Sequence, residues 1–426
     1  MIKTNINPNV SILLGIIPML LVVLVYYQLP HLDFAYVDDR WMLLDESLIR
    51  ATWSWDTLCG IFTRVNNLQY SPLNTFYYYL IYQIDGYNPY YYHLGSLCLH
   101  LINGIVVYRL LVKLFMVFSL GHEQAYAYII MLIWLIHPFN VESVVWISAS
   151  KIPLFSAFYL LSFYYFIQAY QKTKYYKLSY ILSLFFFILS FMSKEQAVTL
   201  PAVILTFVLL IQSKNKSVDL KKAGLKLLPF VVLSFVFIYV TLFSLHFEGG
   251  SHPFDTYPVA KRLFFTFYSL GFYIFNSFLP VELHYHYPFP IKPDENVPLI
   301  FYIIAISLVF SLFLLHAVLK NTKEYYLYLF LFIFFIVNLS LCIHIVSLPR
   351  ASIVGDRYMY LPLVSIISIA VIYVGKRLES GSFKQPFHPY ALWSVGIFAT
   401  VCLVIYSHNL VLDWKSRQLV NYESKP

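Results

Sequence analysis

Apolar runs long enough to cross a lipid bilayer recur along the whole chain and are separated by short polar segments. A hydrocarbon core of about 30 Å needs roughly 20 apolar residues in a helix. The runs predict about eleven membrane-spanning helices, at residues 10–29, 94–115, 125–139, 152–170, 177–193, 198–213, 227–246, 298–319, 325–347, 360–375 and 391–409. The sequence therefore predicts an all-α polytopic membrane protein, organised as a single transmembrane domain over residues 1–426.

The composition agrees with this class. Hydrophobic residues make up 60% of the chain, the mean hydropathy is +0.68 and 12% of residues are charged, whereas soluble domains are about 25% charged. The run 10–29 is longer than the apolar part of a signal peptide and no small-residue cleavage site follows it, so a retained helix is expected. Four cysteines give no disulfide framework. No Walker A, dinucleotide-binding or HExxH motif occurs, and no nucleic-acid partner is expected.

The segment 262–279 is a twelfth candidate span, and it decides the orientation of everything after it. If it crosses completely, Asp356 and Arg357 lie inside; if it lies along the interface, they lie outside. The tendency of basic residues to collect inside favours the second choice. With that choice, only four of the 21 acidic residues lie inside: Glu123, Asp219, Glu324 and Glu379. We therefore expect a cytoplasmic N-terminus and a short exoplasmic tail at residues 410–426.

The first exoplasmic loop, residues 30–92, is the longest and carries two adjacent carboxylates, Asp38 and Asp39. A carboxylate beside an apolar slab is costly to keep ionised, so it usually faces water, a partner or a ligand. Two structural interpretations stay open: a solvated loop start, and an acidic N-cap of a helix over residues 41–49. The functional interpretation is that one of the pair is a general base.

Other charged residues fall at separate exoplasmic turns and converge on the same membrane face. They are Glu142, Lys194, Glu195, Asp356 and Arg357. Carboxylates can deprotonate a hydroxyl acceptor, and cations can hold the phosphate of a lipid-linked donor. The structural alternatives are ion pairs within Lys194-Glu195 and within Asp356-Arg357, and a capping role for Glu142.

The histidines give no strong metal motif. His137 lies in an HPxxxE turn, where it is either a ligand or the end of a helix. His284 and His286 are two residues apart but lack a third nearby ligand. His100 and His344, inside apolar spans, are expected to be hydrogen-bonded packing residues.

Six short motifs occur in a fixed order along the chain. They are Val37-Asp38-Asp39, Tyr70-x-Pro72-Leu73, Tyr92-His93-Leu94 with His100, His137-Pro138-x-x-Val141-Glu142, Ser193-Lys194-Glu195 followed by Pro201, and Asp356-Arg357-Tyr358-x-Tyr360-Leu361-Pro362. In order and content the series resembles the GT-C superfamily of polyprenyl-phosphate-dependent glycosyltransferases. It is most similar to the TMTC (transmembrane and tetratricopeptide-repeat) O-mannosyltransferase branch and its bacterial relatives.

The resemblance implies a GT-C-like bundle with exoplasmic loops and interfacial helices. It implies an enzyme that transfers a hexose, with mannose as a candidate, from a polyprenyl-phosphate sugar to a hydroxyl of a protein Ser or Thr or of a glycan. Inversion at the anomeric carbon is expected, in a bacterial inner membrane with the site facing the periplasm. No cofactor is expected, although some superfamily members use a divalent metal at the equivalent carboxylates.

The resemblance also assigns roles to single positions. The catalytic carboxylates map onto Asp38 and Asp39. The substrate-binding positions are His93, His137, Glu142, Lys151, Lys194, Glu195, Arg350, Asp356 and Arg357.

The chain departs from the family in three places. Ser71 stands before Pro72 where the family usually has Arg, and Ala149-Ser150-Lys151-Ile152 stands where the family often has a run containing Arg. Both changes remove an Arg that could contact the donor phosphate. No repeats follow Asp413-Trp414-Lys415. One alternative function is a transporter or flippase of lipid-linked sugars. Such a protein would favour paired charges within its spans and internal repeats, whereas this chain has few such charges and no obvious repeat. A second alternative is a structural subunit with decayed motifs.

Overall fold

The computed structural model describes residues 8–36, 38–65, 69–247, 257–345, 352–380 and 389–417. Within these ranges the backbone forms fifteen α-helices and no β-strand. The helices are α1 (Pro8–Tyr26), α2 (Trp55–Thr63), α3 (Pro72–Asp85), α4 (Pro89–Phe118), α5 (Glu123–Ile136), α6 (Val141–Val145), α7 (Lys151–Tyr170), α8 (Tyr176–Ser193), α9 (Leu200–Lys214), α10 (Leu220–Phe247), α11 (Val259–Asn276), α12 (Leu299–Leu319), α13 (Tyr325–Leu339), α14 (Pro362–Glu379) and α15 (Pro389–Asp413). The fold is thus all-helical over the described ranges, as the sequence predicts.

Seven helical segments in the described part of the chain are long and apolar enough to cross a membrane. The number is eight if α5 is joined, across a bend of 58°, to the turn and short helix that follow it. This pattern is consistent with a multi-pass membrane protein. The expected number of about eleven also includes α1 and α13, which are apolar but shorter, and α14.

Helix α13 ends earlier than hydropathy predicts. Its last residue is Leu339, whereas the apolar run extends to residue 347. The chain turns after Leu339, and His344 adopts a left-handed φ of 64°, which an α-helix cannot contain. His344 therefore lies beyond the helix, where its Nε2 is 2.6 Å from the carbonyl oxygen of Ile353.

Helix α4 packs along α5 and α7 and carries buried polar residues. Gly104 permits a close approach to α5, because a Cβ there would lie 2.8 Å from Leu135. His100 is hydrogen-bonded on both sides, as expected: its Nδ1 is 2.9 Å from the Tyr360 hydroxyl and its Nε2 is 2.9 Å from the Leu135 carbonyl. The Asn103 amide donates to the same hydroxyl at 3.2 Å. These bonds hold the segment just before α14 against α4.

Helix α11 covers the doubtful segment 262–279, and both of its ends contact the loop that follows it. The Tyr257 hydroxyl, just before α11, donates to the Ile291 carbonyl at 2.8 Å. Phe272, near the other end, packs on Tyr287 with 5.1 Å between the ring centroids. Helix α11 is also not among the segments apolar enough to cross a membrane. Both ends of α11 are therefore held by the loop that follows it.

Helix packing differs between the middle and the edge of the bundle. Helices α7 and α8 approach closely, since the hydroxyls of Ser162 and Ser183 each donate to the other residue's carbonyl, at 2.6 and 2.7 Å. Helix α12, by contrast, packs mainly against α11, and most of its side chains are exposed. Such a surface is suited to contact with lipid.

Candidate functional site

Asp39 is fully buried and fastens the first loop to the turn before α7. Its Oδ1 accepts hydrogen bonds from the Ser148 backbone N–H at 2.8 Å and from the Ser148 hydroxyl. Its Oδ2 accepts from the Ala35 backbone N–H at 2.7 Å. Burial raises the pKa of Asp39 to about 6, although the bonds from Ser148 and Ala35 act in the opposite direction. Asp39 is therefore an ionised structural anchor at neutral pH.

Asp38 is half-buried and less constrained. Its Oδ1 accepts from the Trp41 indole N–H at 3.0 Å, and within the described ranges no donor reaches its other carboxylate oxygen. The helix considered over residues 41–49 is not formed, because the backbone makes a single π-helical turn, Arg40–Leu44, that no side chain of the pair caps. Of the two aspartates, Asp38 thus keeps one oxygen for a ligand.

Lys151 begins α7 and lies beside the Asp38 turn. Its Nζ is 3.1 Å from the Gln69 side-chain oxygen and 3.7 Å from the Met42 sulfur. The Met42 backbone N–H in turn donates to the Asp38 carbonyl at 3.0 Å. No carboxylate of the described residues forms an ion pair with Lys151. The ammonium group therefore has only neutral partners in this part of the chain.

The electrostatic surroundings of Lys151 show which charges the fold brings together. The charged residues acting on its ammonium are Lys194, Glu195, Asp38 and Arg357. Lys194 and Glu195, at the turn between α8 and α9, form an ion pair of 3.4 Å, as the structural alternative for these two residues predicted. The Lys194 side chain is 10% exposed and that of Glu195 is 51% exposed, so the pair lies at the edge of the cluster.

Arg357 is paired with Glu142 from a distant turn. Its backbone N–H lies 2.7 Å from Glu142 Oε2 and its guanidinium 2.5 Å from Glu142 Oε1. The structural alternative of an ion pair within Asp356-Arg357 is therefore not formed, because the guanidinium pairs with Glu142. The guanidinium also lies over the rings of Trp146 and Tyr358, at 5.1 and 4.9 Å. Burial lowers the pKa of Arg357, but the facing Glu142 carboxylate outweighs it and the pKa is raised.

Asp356 is buried and accepts a hydrogen bond of 2.7 Å from the Tyr287 hydroxyl. Burial raises the pKa of this carboxyl well above its ordinary value, and the Glu142 charge raises it further. A cavity of about 30 Å³ adjoins both carboxylates. Its lining includes Glu142, Asp356, His284, Asp413 and Trp414 but neither Asp38 nor Lys151. The cavity, with room for about one water molecule, is therefore separate from Asp38 and Lys151.

The other expected site residues have packing roles or lie outside the description. His137 uses both ring nitrogens: Nδ1 accepts from the Phe139 N–H at 3.2 Å, and Nε2 is 3.2 Å from the Ser277 carbonyl. His93 is buried near the start of α4, next to the backbone of Leu32 and Asp33, which precedes the Asp pair. Arg350 lies outside the described residues.

Several residues at the site carry no charge and were not expected from the sequence. Ser148 anchors Asp39, Gln69 contacts Lys151, and Trp146 covers one face of Arg357. Trp414, just after α15, stacks on Trp146 with 5.9 Å between the ring centroids. Of the expected tail, residues 410–426, the first four still belong to α15, Trp414 packs on Trp146, and residues 418–426 lie outside the described ranges.

The residues that the structure describes contain no group of three or more His, Cys, Asp or Glu side chains arranged to hold a metal ion. Of the histidine pair His284 and His286, His286 has its Nδ1 2.7 Å from the Ser352 hydroxyl. The ring of His284 lies 6.1 Å from that of Tyr287.

The charges at the site divide into two classes. Glu142 with Arg357, and Lys194 with Glu195, form ion pairs, and the Asp39 carboxylate is occupied by three donors. Asp356 is bonded to the Tyr287 hydroxyl. Among the described residues, Asp38 keeps an oxygen without a donor and Lys151 has no ionic partner. A carboxylate and an ammonium group arranged in this way can accept a proton and stabilise a developing negative charge.

No known family model matches the chain, and no curated protein is significantly similar to it.

Proposed function

We propose that the chain is an integral-membrane glycosyltransferase that moves a hexose, with mannose as the first candidate, from a polyprenyl-phosphate sugar to a hydroxyl of a protein or a glycan. One observation carries the proposal. Asp38, which has a carboxylate oxygen that no described donor reaches, and Lys151, which has no ionic partner in the described chain, lie at one junction between the first loop and α7. A hydroxyl nucleophile needs a carboxylate to take its proton, and a leaving phosphate needs a cation to stabilise its charge. The order of the sequence motifs supports the same class.

The proposed reaction is a single in-line displacement with inversion. The acceptor oxygen forms a bond to the anomeric carbon while the bond from that carbon to the phosphate oxygen breaks. Asp38 takes the proton from the acceptor hydroxyl. Lys151 compensates the negative charge that returns to the polyprenyl phosphate. No metal ion is required by these steps.

The paired residues are proposed to position these two. Glu142 and the rings of Trp146 and Tyr358 fix the Arg357 guanidinium, so it contributes a constant positive field at the phosphate. Asp39 fixes the loop that carries Asp38. Residues held by such contacts lose little freedom when a substrate binds, which favours catalysis.

We further propose eleven crossings, with the site on the exoplasmic face of a bacterial inner membrane. The distribution of basic residues supports this orientation. Lys376 and Arg377, at the end of α14, lie one helix away from Arg357, which precedes α14. Basic residues concentrate on the cytoplasmic side of membrane proteins.

The test is a transfer assay with the purified chain in vesicles. A panel of radiolabelled polyprenyl-phosphate hexoses is offered together with a Ser- and Thr-rich peptide and a glycan acceptor. We expect transfer from one donor, lost in Asp38→Asn and kept in Asp45→Asn. Asp45 is a suitable control because it lies in the same loop, is exposed and pairs with Arg40. Movement of donor across the bilayer without transfer would favour a flippase, and no turnover of any donor would refute the proposal.

A further inference from the structure

A second feature of the molecule is an apolar groove between α12, α13 and α14, away from the candidate site. Its volume is about 170 Å³. It is lined by Leu312, Leu315, His316, Leu319, Tyr325, Tyr328, Leu329, Phe332 and Ile369. Eight of these nine residues come from the end of α12 and the first half of α13, and Ile369 comes from α14, whereas the site segment follows α13 and precedes α14. Groove and site are therefore at opposite ends of α13.

The surroundings of the groove indicate hydrocarbon as its occupant. Helix α12 packs mainly on α11, and its outward side chains, such as Phe313 at 67% exposure, are suited to lipid. Water is held in cavities by several polar partners, and the groove offers few of them. An acyl chain from the adjacent leaflet satisfies the same surface through apolar contact.

The turn beside the groove carries more basic than acidic residues: Lys320, Lys323 and Glu324 lie between α12 and α13. Glu324 and Arg377, whose guanidinium is 5.2 Å from the Tyr373 ring centroid, both act electrostatically on Tyr328 of the lining. Within the described ranges none of these three cations forms an ion pair. The neighbouring Lys376 does, with Glu379 at 2.8 Å. The unpaired cations complement an anionic headgroup.

We propose that this groove binds an anionic phospholipid, with one acyl chain between α12, α13 and α14 and the phosphate at Lys320, Lys323 and Arg377. The site is distinct from the proposed transfer site and does not depend on the transfer reaction. Its role is to fill the space between α12 and the rest of the bundle.

The experiment measures lipid retention by native mass spectrometry. The full chain is taken from vesicles of equal phosphatidylglycerol and phosphatidylcholine, with polyprenyl phosphate added as a third component. Each basic residue near an anionic lipid contributes about fivefold in affinity. We therefore expect the triple variant Lys320→Gln, Lys323→Gln, Arg377→Gln to retain at least tenfold less phosphatidylglycerol than the wild type. Leu315→Trp, which fills the groove and keeps its charges, should lose the lipid as well.

The matched control is Lys174→Gln, Lys177→Gln, Lys221→Gln, which removes three exposed cations that do not line the groove. This control should retain phosphatidylglycerol like the wild type, and all variants should elute as folded protein. Equal loss in control and test variants would overturn the proposal. So would retention of phosphatidylglycerol in Leu315→Trp, or retention of polyprenyl phosphate in place of the phospholipid by the wild type.

Discussion

The adjacent carboxylates Asp38 and Asp39 are expected to respond differently to the same substitution. Asp→Asn keeps the size of the side chain and removes its ability to take a proton. Asp38 has an oxygen that no described donor reaches, whereas Asp39 accepts three hydrogen bonds in a buried position. Activity should therefore depend on the first carboxylate, and the pH dependence of stability on the second.

For Asp38→Asn the expected loss is in the chemical step. A general base contributes roughly 10²- to 10⁴-fold, which is about 3–5 kcal/mol of transition-state stabilisation at about 1.36 kcal/mol per decade. We expect kcat to fall by this factor, with little change in thermal stability because the residue is half-buried. Asp39→Asn should lower kcat much less than Asp38→Asn, since its amide oxygen can still accept from Ser148. It should lower stability, because its amide nitrogen cannot accept from the Ala35 N–H.

For Asp39 the sign of the pH effect follows from its raised pKa. The folded pKa of about 6 exceeds the ordinary value of 3.8, so between these pH values the folded protein holds a proton that the unfolded chain has released. The resulting stability is complete below about pH 4 and is lost as the pH rises through about 6. The loss is about 3 kcal/mol at about 1.36 kcal/mol per pH unit.

The assay is thermal unfolding in detergent from pH 4 to pH 7, combined with the transfer assay. Wild type, Asp38→Asn and the exposed control Asp45→Asn should all lose stability over this range. Asp39→Asn should have a flatter profile, because the titrating group is gone. The reasoning is refuted if Asp39→Asn keeps the full pH dependence, or if Asp38→Asn transfers sugar at the wild-type rate.

Three further outcomes are expected. Lys151→Gln should lower kcat by roughly 10²- to 10³-fold, whereas Lys194→Gln should lower it less because Lys194 is already paired with Glu195; equal effects in the transfer assay would contradict this. Glu142→Gln should destabilise the fold, by less than the roughly 3–5 kcal/mol of a fully buried pair, measured by thermal unfolding, because it leaves the partly buried Arg357 without its carboxylate. Cysteine introduced at position 376 in a Cys-free background should resist an impermeant reagent in intact cells; its labelling would overturn the proposed orientation.

The helical architecture could be predicted from the sequence because it depends on local patterns. An apolar run of about 20 residues has few alternatives to a helix in a membrane. Most helix bounds consequently lie within a few residues of the hydropathy limits, as for α12 at Leu299–Leu319 against the predicted 298–319. The end of α13 was predicted wrongly because it depends on a contact that is remote from the local pattern. Its last predicted residues are apolar, but they leave the helix to bring His344 to the Ile353 carbonyl, a contact that hydropathy does not record.

The pairing of the charges could not be predicted, because the partners are remote in the chain. Glu142 and Arg357 are 215 residues apart, and Asp39 and Ser148 are 109 residues apart. The sequence offered Asp356 as the nearest acid for Arg357, yet Asp356 bonds to Tyr287 instead. The sequence also could not indicate that Gln69 and Trp146 belong to the site. Gln69 is neutral, and Trp146 is one of many aromatic residues in a chain that is 19% aromatic.

The distant pairings also explain why Asp38 and Lys151 differ from the other charges at the site. A buried ion pair that is satisfied on both sides is costly to rearrange, because breaking it leaves an uncompensated charge. Arg357 is therefore a poor candidate to leave Glu142 and follow a moving phosphate. Lys151, held only by an amide oxygen and a thioether, can reorient toward a phosphate without breaking an ion pair within the described chain. For the same reason Asp38 is better placed than Asp39 to take a proton, since a ligand hydroxyl can reach an oxygen that no described group occupies.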